Sequence, residues 1–257
     1  AYLSVSRGGM DILLRVTPAG AIEEVSLKDV SYSRKALANP VSMDAKSRRG
    51  QSLRGEAITD LVYSDGALYI AGLSNEEFAS TLRKVAFPFD DSETATSIEI
   101  YHAAHQQYET HAPIRTLTAY NLDQAPHVLA SYTCTPLVTF PVSKLENGVH
   151  LMGKTVAEFG SGNRPLDMIV YTSGDNDYIL MANSNRALMK IDPRDIEKSE
   201  AITTPVTERY GTAGTKFIAI NQVGVQQIDN LNGDYVLALQ RMSNGSLDLR
   251  SMQKSRL

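Results

Sequence analysis

The chain has 257 residues, of which 42% are hydrophobic and 21% charged, and its formal net charge is −4. This composition supports a folded core and excludes an intrinsically disordered chain. The lack of a basic excess argues against nucleic acid as the main partner, and no apolar run reaches the length of a bilayer span.

In chain order, residues 1–30 read as strands. Residues 2–6 alternate, Arg7-Gly8-Gly9 turns, residues 10–16 follow, and Pro18-Ala19-Gly20 turns again into residues 22–27. Short period-2 runs divided by Gly and Pro are the signature of an all-β chain. Residues 33–55 break the pattern. They carry Arg34, Lys35, Lys46, Arg48, Arg49 and Arg54 among Ser, Gly and Pro, and read as a long basic loop, either solvated or a docking surface for an acidic partner. Strands resume at 58–63, 67–72, 82–87 and 97–101.

From there the chain repeats itself. His111-Ala112-Pro113-Ile114-Arg115 is echoed by Asn163-Arg164-Pro165-Leu166-Asp167, each a polar turn, a proline and the start of an apolar strand, with a weaker copy from Glu56 to Tyr63. Proline is tolerated at the first residue of a strand, where its missing N–H is not yet needed. Second strands recur as Leu68-Tyr69-Ile70-Ala71-Gly72, Val128-Leu129-Ala130-Ser131-Tyr132, Tyr178-Ile179-Leu180-Met181-Ala182 and Tyr235-Val236-Leu237-Ala238-Leu239, with residues 2–6 as a fifth copy. Third strands follow at 82–85, 137–140, 187–191 and 246–249.

Four short antiparallel strands at a period of roughly 50 to 60 residues is the arithmetic of a propeller blade, a sheet that needs neighbours to cover its faces. The expectation is an all-β chain: a β-propeller of four-stranded antiparallel blades with about five repeats, one domain over residues 1–257 with 33–55 as a loop insertion. About five outer hairpins accompany about four innermost strands. Either the two ends complete one blade, or the propeller begins upstream of Ala1, the reading preferred here. An incomplete blade would leave an open edge for a protein partner. In strand pattern the chain resembles β-propellers of the broad YVTN, quinoprotein and amine-dehydrogenase-like group. With no WD dipeptide and no kelch double glycine in register, the resemblance implies fold and not activity.

In a propeller, the links from one blade's outer strand to the next blade's inner strand open on one face. His111, Arg115, Asn163, Arg164 and Asp167 are therefore expected at one channel mouth, with Glu56, Thr59 and Asp60 arriving from the preceding blade. Two arginines there suit a small anionic ligand gripped bidentately; the bland alternative is an Arg115–Asp167 pair across adjacent blades. A second constellation is His102, His105 and His111, three of the five histidines within ten residues. Imidazole is the commonest transition-metal ligand, and Glu109 is the obvious carboxylate neighbour. On a regular strand His102 and His105 point to opposite faces, so they converge only in a turn, a bulge or a helical turn. The single cysteine, Cys134, excludes an intrachain disulfide and reads as a small buried hydrophobe. Gly160-Ser161-Gly162 leads into a strand, not a helix, and reads as a blade turn and not a phosphate loop.

Three functions compete. The first is a ligand- or metal-binding propeller, a subunit of a larger periplasmic assembly. The second is an enzyme using a metal or redox cofactor on the histidine cluster; a transition metal, heme or calcium are the cofactors considered. The third is a structural module that binds other proteins through the basic loop. One thiol suits cytosol and periplasm alike, and a periplasmic or secreted setting is the expectation.

Overall fold

The computed structural model describes residues 1–257. The fold is all-β, of the β-propeller class, with five small sheets succeeding one another along the chain. No helix is long and apolar enough to cross a membrane. The chain falls into two compact units, Ala1–Lys35 and Ala36–Leu257.

The first unit is an antiparallel meander of β1 (Tyr2–Arg7), β2 (Met10–Val16) and β3 (Ile22–Val25). Between β3 and the next strand lies the basic segment, with only isolated bridges and a short 3-10 turn, Arg54–Glu56. Within the second unit, Arg54 Nη1 holds this segment by donating to the carbonyl of the buried Val41 at 2.5 Å.

The second unit opens with β4 (Asp60–Ser64), β5 (Ala67–Leu73), β6 (Ser80–Ala86) and β7 (Thr94–His102), to which a short β8 (Gln107–Glu109) returns as a hairpin. The next sheet is β9 (Thr116–Leu122), β10 (Ala125–Ser131), β11 (Pro136–Pro141) and, after β12 (His150–Met152) has crossed back to pair in parallel with β7, β13 (Lys154–Glu158). Then come β14 (Pro165–Ser173), β15 (Asn176–Asn183) and β16 (Leu188–Ile191). Helix α1 (Pro193–Lys198) follows, started by an Asp192 cap that accepts from Arg194 N at 3.0 Å and by Pro193, whose φ suits a first helical position. A two-residue β17 (Ala213–Gly214) extends the β13 edge, and β18 (Ile218–Ile220) closes the β14 sheet. The last sheet is β19 (Val225–Asn230), β20 (Tyr235–Arg241) and β21 (Leu247–Gln253). The four-stranded blade thus recurs three times in this unit, with β8, β12 and β17 as additions, and the terminal sheet has three strands.

The inner strands β4, β9, β14 and β19 lie side by side in that order. Strand alternation explains why. Val128 and Ala130 of β10 pack with Tyr69, Leu82 and Ile98 of the preceding sheet, whereas Leu129, one residue out of phase, packs with Met168, Ile179 and Met181 of the following one. Likewise Leu180 and Ala182 turn to Val236 and Ala238. A sheet buried on both faces reads as a near-continuous apolar run, which is what residues 128–132 and 178–182 are. Backbones come close as well: a Cβ on Gly72 would collide with the carbonyl of Ala57, so only glycine fits there. The blades are also latched by carboxylates. Asp60 Oδ2 accepts from Leu117 N at 2.8 Å, and Asp167 Oδ2 from Ile228 N at 2.7 Å, each reaching from one inner strand to the next.

Candidate metal centre

β7 stops at His102, and residues 103–106 turn, with His105 N donating to His102 O at 3.0 Å. The turn brings the two imidazole centroids to 3.7 Å, overcoming the odd spacing that would separate them on a strand. β8 then runs back along β7 and presents Glu109 to both rings. His102 Nδ1 lies 2.9 Å from Glu109 Oε2, and His105 Nδ1 lies 2.6 Å from Oε1. Burial by itself disfavours the Glu109 anion, but the hydrogen bonds from His102 and His105, with the His102 charge and Gln107 adding to them, outweigh it and hold the carboxyl at about 2. An ionised carboxylate can only accept, so the Nδ1 atoms carry the protons, and in a neutral ring the lone pair is then on Nε2. A carboxylate gripping the far nitrogen is the support that metal-ligating histidines ordinarily have.

The third member is Cys134. It lies in the β10–β11 turn, where Cys134 and Thr135 take φ of 66° and 61°. Two successive non-glycine residues in the left-handed region cost on the order of 1 kcal/mol each, more for a β-branched one. The turn is held there from several sides. Thr135 N donates to Tyr132 O and Cys134 N to Asn163 O, both at 2.8 Å, and Thr135 Oγ1 donates to Gly160 O at 2.9 Å. One ligand atom from each of His102, His105 and Cys134 falls within a set whose members all lie within 4.8 Å of one another.

Below these residues lies Glu158, the last residue of β13. Its side chain is 0% exposed and that of His102 is 1%. Glu158 Oε1 accepts from Ala104 N at 3.3 Å and stands 4.0 Å from His102 Nε2. His102 Nε2, Glu158 Oε2 and the Tyr132 hydroxyl are all buried without a hydrogen bond to the protein. Burial raises the Glu158 carboxyl and raises the Tyr132 hydroxyl well above its ordinary range.

The other candidate residues are placed differently. His111 is exposed and its Nδ1 lies 2.8 Å from Thr110 Oγ1; the residue whose potential ligand atom lies near those of His102 and His105 is Cys134. Arg115 pairs not with Asp167 but with Glu56, at 2.7 Å, and its Nε reaches Thr133 Oγ1 at 3.4 Å. Burial, then the nearby Arg164 charge, oppose its protonation, while Glu56 favours it. The Arg164 charge is thus near enough to be felt at Arg115. Asn163 is buried and spent on Asn183 Oδ1, at 2.8 Å, and on Asn185 N, at 3.1 Å. Asp167 is spent on the backbone, and burial, with the Asp60 charge adding to it, pushes it up to about 6.

Sequence reasoning passed over Glu158 and took Cys134 for a hydrophobe. Glu158 had a signal: Thr155-Val156-Ala157-Glu158-Phe159 is a strand-like apolar run with a lone acid inside it. Cys134 had none, because 29 residues and a whole hairpin separate it from His105. No protein-family model matches the chain, and no curated protein matches it in sequence.

Proposed function

We propose that this is a metal-binding propeller protein that holds a transition metal through His102 Nε2, His105 Nε2 and Cys134 Sγ. The observation that carries this reading is the convergence of one potential ligand atom from each of these three residues while Glu109 occupies both Nδ1 atoms. Two imidazoles and a thiolate are a borderline-soft set that suits zinc or copper; calcium, which takes six to eight oxygens, does not fit it. The bound metal would offset the strain of the Cys134 turn. Affiliation with the quinoprotein and amine-dehydrogenase-like group belongs to the same proposal, supported by strand pattern alone.

The test is metal analysis of purified protein followed by zinc and copper titration. Stoichiometric binding, weakened at least tenfold in His102→Ala, His105→Ala and Cys134→Ala but not in His111→Ala, is the expected result. Absence of binding at micromolar metal overturns the reading.

A second reading concerns the Arg115–Arg164 pair. The Arg164 guanidinium makes no ion pair and lies near enough to oppose the charge of Arg115. A small anion would relieve that repulsion. Phosphate should then raise the melting temperature of the wild type but not of Arg164→Ala; equal effects on both would remove this reading.

A further inference from the structure

We propose that Glu158 is the fourth ligand, completing a closed His-His-Cys-Glu centre that selects zinc and fastens two adjacent blades together. This rests on the metal reading above. It is carried by a different observation: His102 Nε2 and Glu158 Oε2 are both buried without a hydrogen-bond partner, and Nε2 faces the same carboxyl group at 4.0 Å.

The topology makes the juxtaposition unavoidable. Glu158 pairs with Pro136 across the β11–β13 ladder, two residues beyond Cys134. β13 is tied to the end of β7 by Thr155 Oγ1, which donates to Tyr101 O at 2.7 Å, next to His102. The Glu158 carboxylate therefore enters beneath the 103–106 turn, where Ala104 N meets it at 3.3 Å. Two ligands then come from the end of one blade and two from the next.

The chemistry fits a cation. With Nδ1 of His102 donating to Glu109, Nε2 presents a lone pair, and it faces Glu158 Oε1 at 4.0 Å. That nitrogen has no hydrogen-bond partner of its own. Burying a carboxylate with an oxygen that receives no hydrogen bond is among the costlier things a fold can do. A shared metal reverses both effects. Zinc bonds of about 2.0–2.2 Å to nitrogen and oxygen set tetrahedral N···O separations of roughly 3.3–3.5 Å, so the His102–Glu158 pair, at 4.0 Å, has to draw together by about half an ångström to share the ion. One thiolate and one carboxylate neutralise a divalent ion, which suits the buried His102–Glu158 side of the site. Four protein ligands leave no open position, the mark of a structural zinc site rather than a catalytic one.

The experiment uses cobalt(II) as a spectroscopic substitute in the metal-free full-length chain, with zinc competition for affinity. The wild type should show a thiolate-to-cobalt charge-transfer band and intense four-coordinate ligand-field bands that azide does not alter. Glu158→Gln should keep the thiolate band, bind zinc 10- to 100-fold more weakly, and become sensitive to azide. If Glu158→Gln matches the wild type within twofold in affinity and spectrum, Glu158 is not a ligand and the three-residue site stands without it. If azide perturbs the wild-type spectrum, the sphere is open and the inference falls, whether or not the variant folds. A wild type with no thiolate band overturns the metal reading itself, and this inference with it.

Discussion

Two histidine–glutamate pairs hang on β7 and differ in what they leave over. At its outer edge, His150 of β12 lies between Ser97 Oγ, 2.9 Å from its Nδ1, and Glu99 Oε2, 3.3 Å from its Nε2, with Phe78 stacked on its ring at 4.1 Å. Both nitrogens are in use and the group is half open to water. At the strand's end, His102 gives one nitrogen to Glu109 and keeps the other, buried, facing a second glutamate. A histidine is available as a ligand when its neighbours satisfy one nitrogen and strand the other. Sequence composition is the same in both cases; the count of partners is not.

Substitutions can break this contrast at its strongest point first. His102→Ala should weaken zinc binding by 100-fold or more in competition titrations, while His150→Ala leaves it within twofold. An equal loss in both would mean that the metal is not where the contrast puts it. Glu109→Gln keeps the size of the side chain but can present only one acceptor oxygen to two N–H donors. It should cost 10- to 100-fold in affinity through misoriented rings, the usual range for such supporting carboxylates.

A further comparison, between buried carboxylates, is expected to be smaller. Glu109 is held at about 2 by imidazoles, whereas Asp167, which meets backbone N–H groups and the neighbouring Asp60 and Asp229 charges, is pushed up to about 6. A carboxyl whose folded value lies above its unfolded value of about 4 holds its proton more tightly in the native state. Its contribution is therefore fully present below pH 4 and is lost as pH rises to 6. Asp167→Asn should remove about 1–2 kcal/mol of this pH dependence, measured by urea unfolding at pH 4 and pH 7. An unchanged slope would show that another group sets it. The smallest effect is expected at the outer edge: Glu99→Gln, on a partly exposed pair, should change stability by less than about 0.5 kcal/mol.

Much of the architecture was legible along the chain because strand burial is a local pattern. The runs at 68–72, 128–132 and 178–182 are almost wholly apolar, and the latter two are covered on both faces by neighbouring blades. Turn chemistry was legible where it relied on glycine, as at Gly8-Gly9, and illegible at Cys134-Thr135, where no residue type announces a positive φ. β12 was missed because its parallel pairing depends on β7, some fifty residues earlier.

The site divides in the same way. From the amino-acid order alone came the repeat, the β class and the nomination of His102 and His105 with Glu109 nearby, all of which depend on residues within a few positions of one another. Only the tertiary structure could bring Cys134 beside His102 and His105, set Glu158 against His102 and pair Arg115 with Glu56. Those contacts join separate blades, and the distance between atoms on different sheets is set by how the sheets pack, a quantity that no short window of sequence contains.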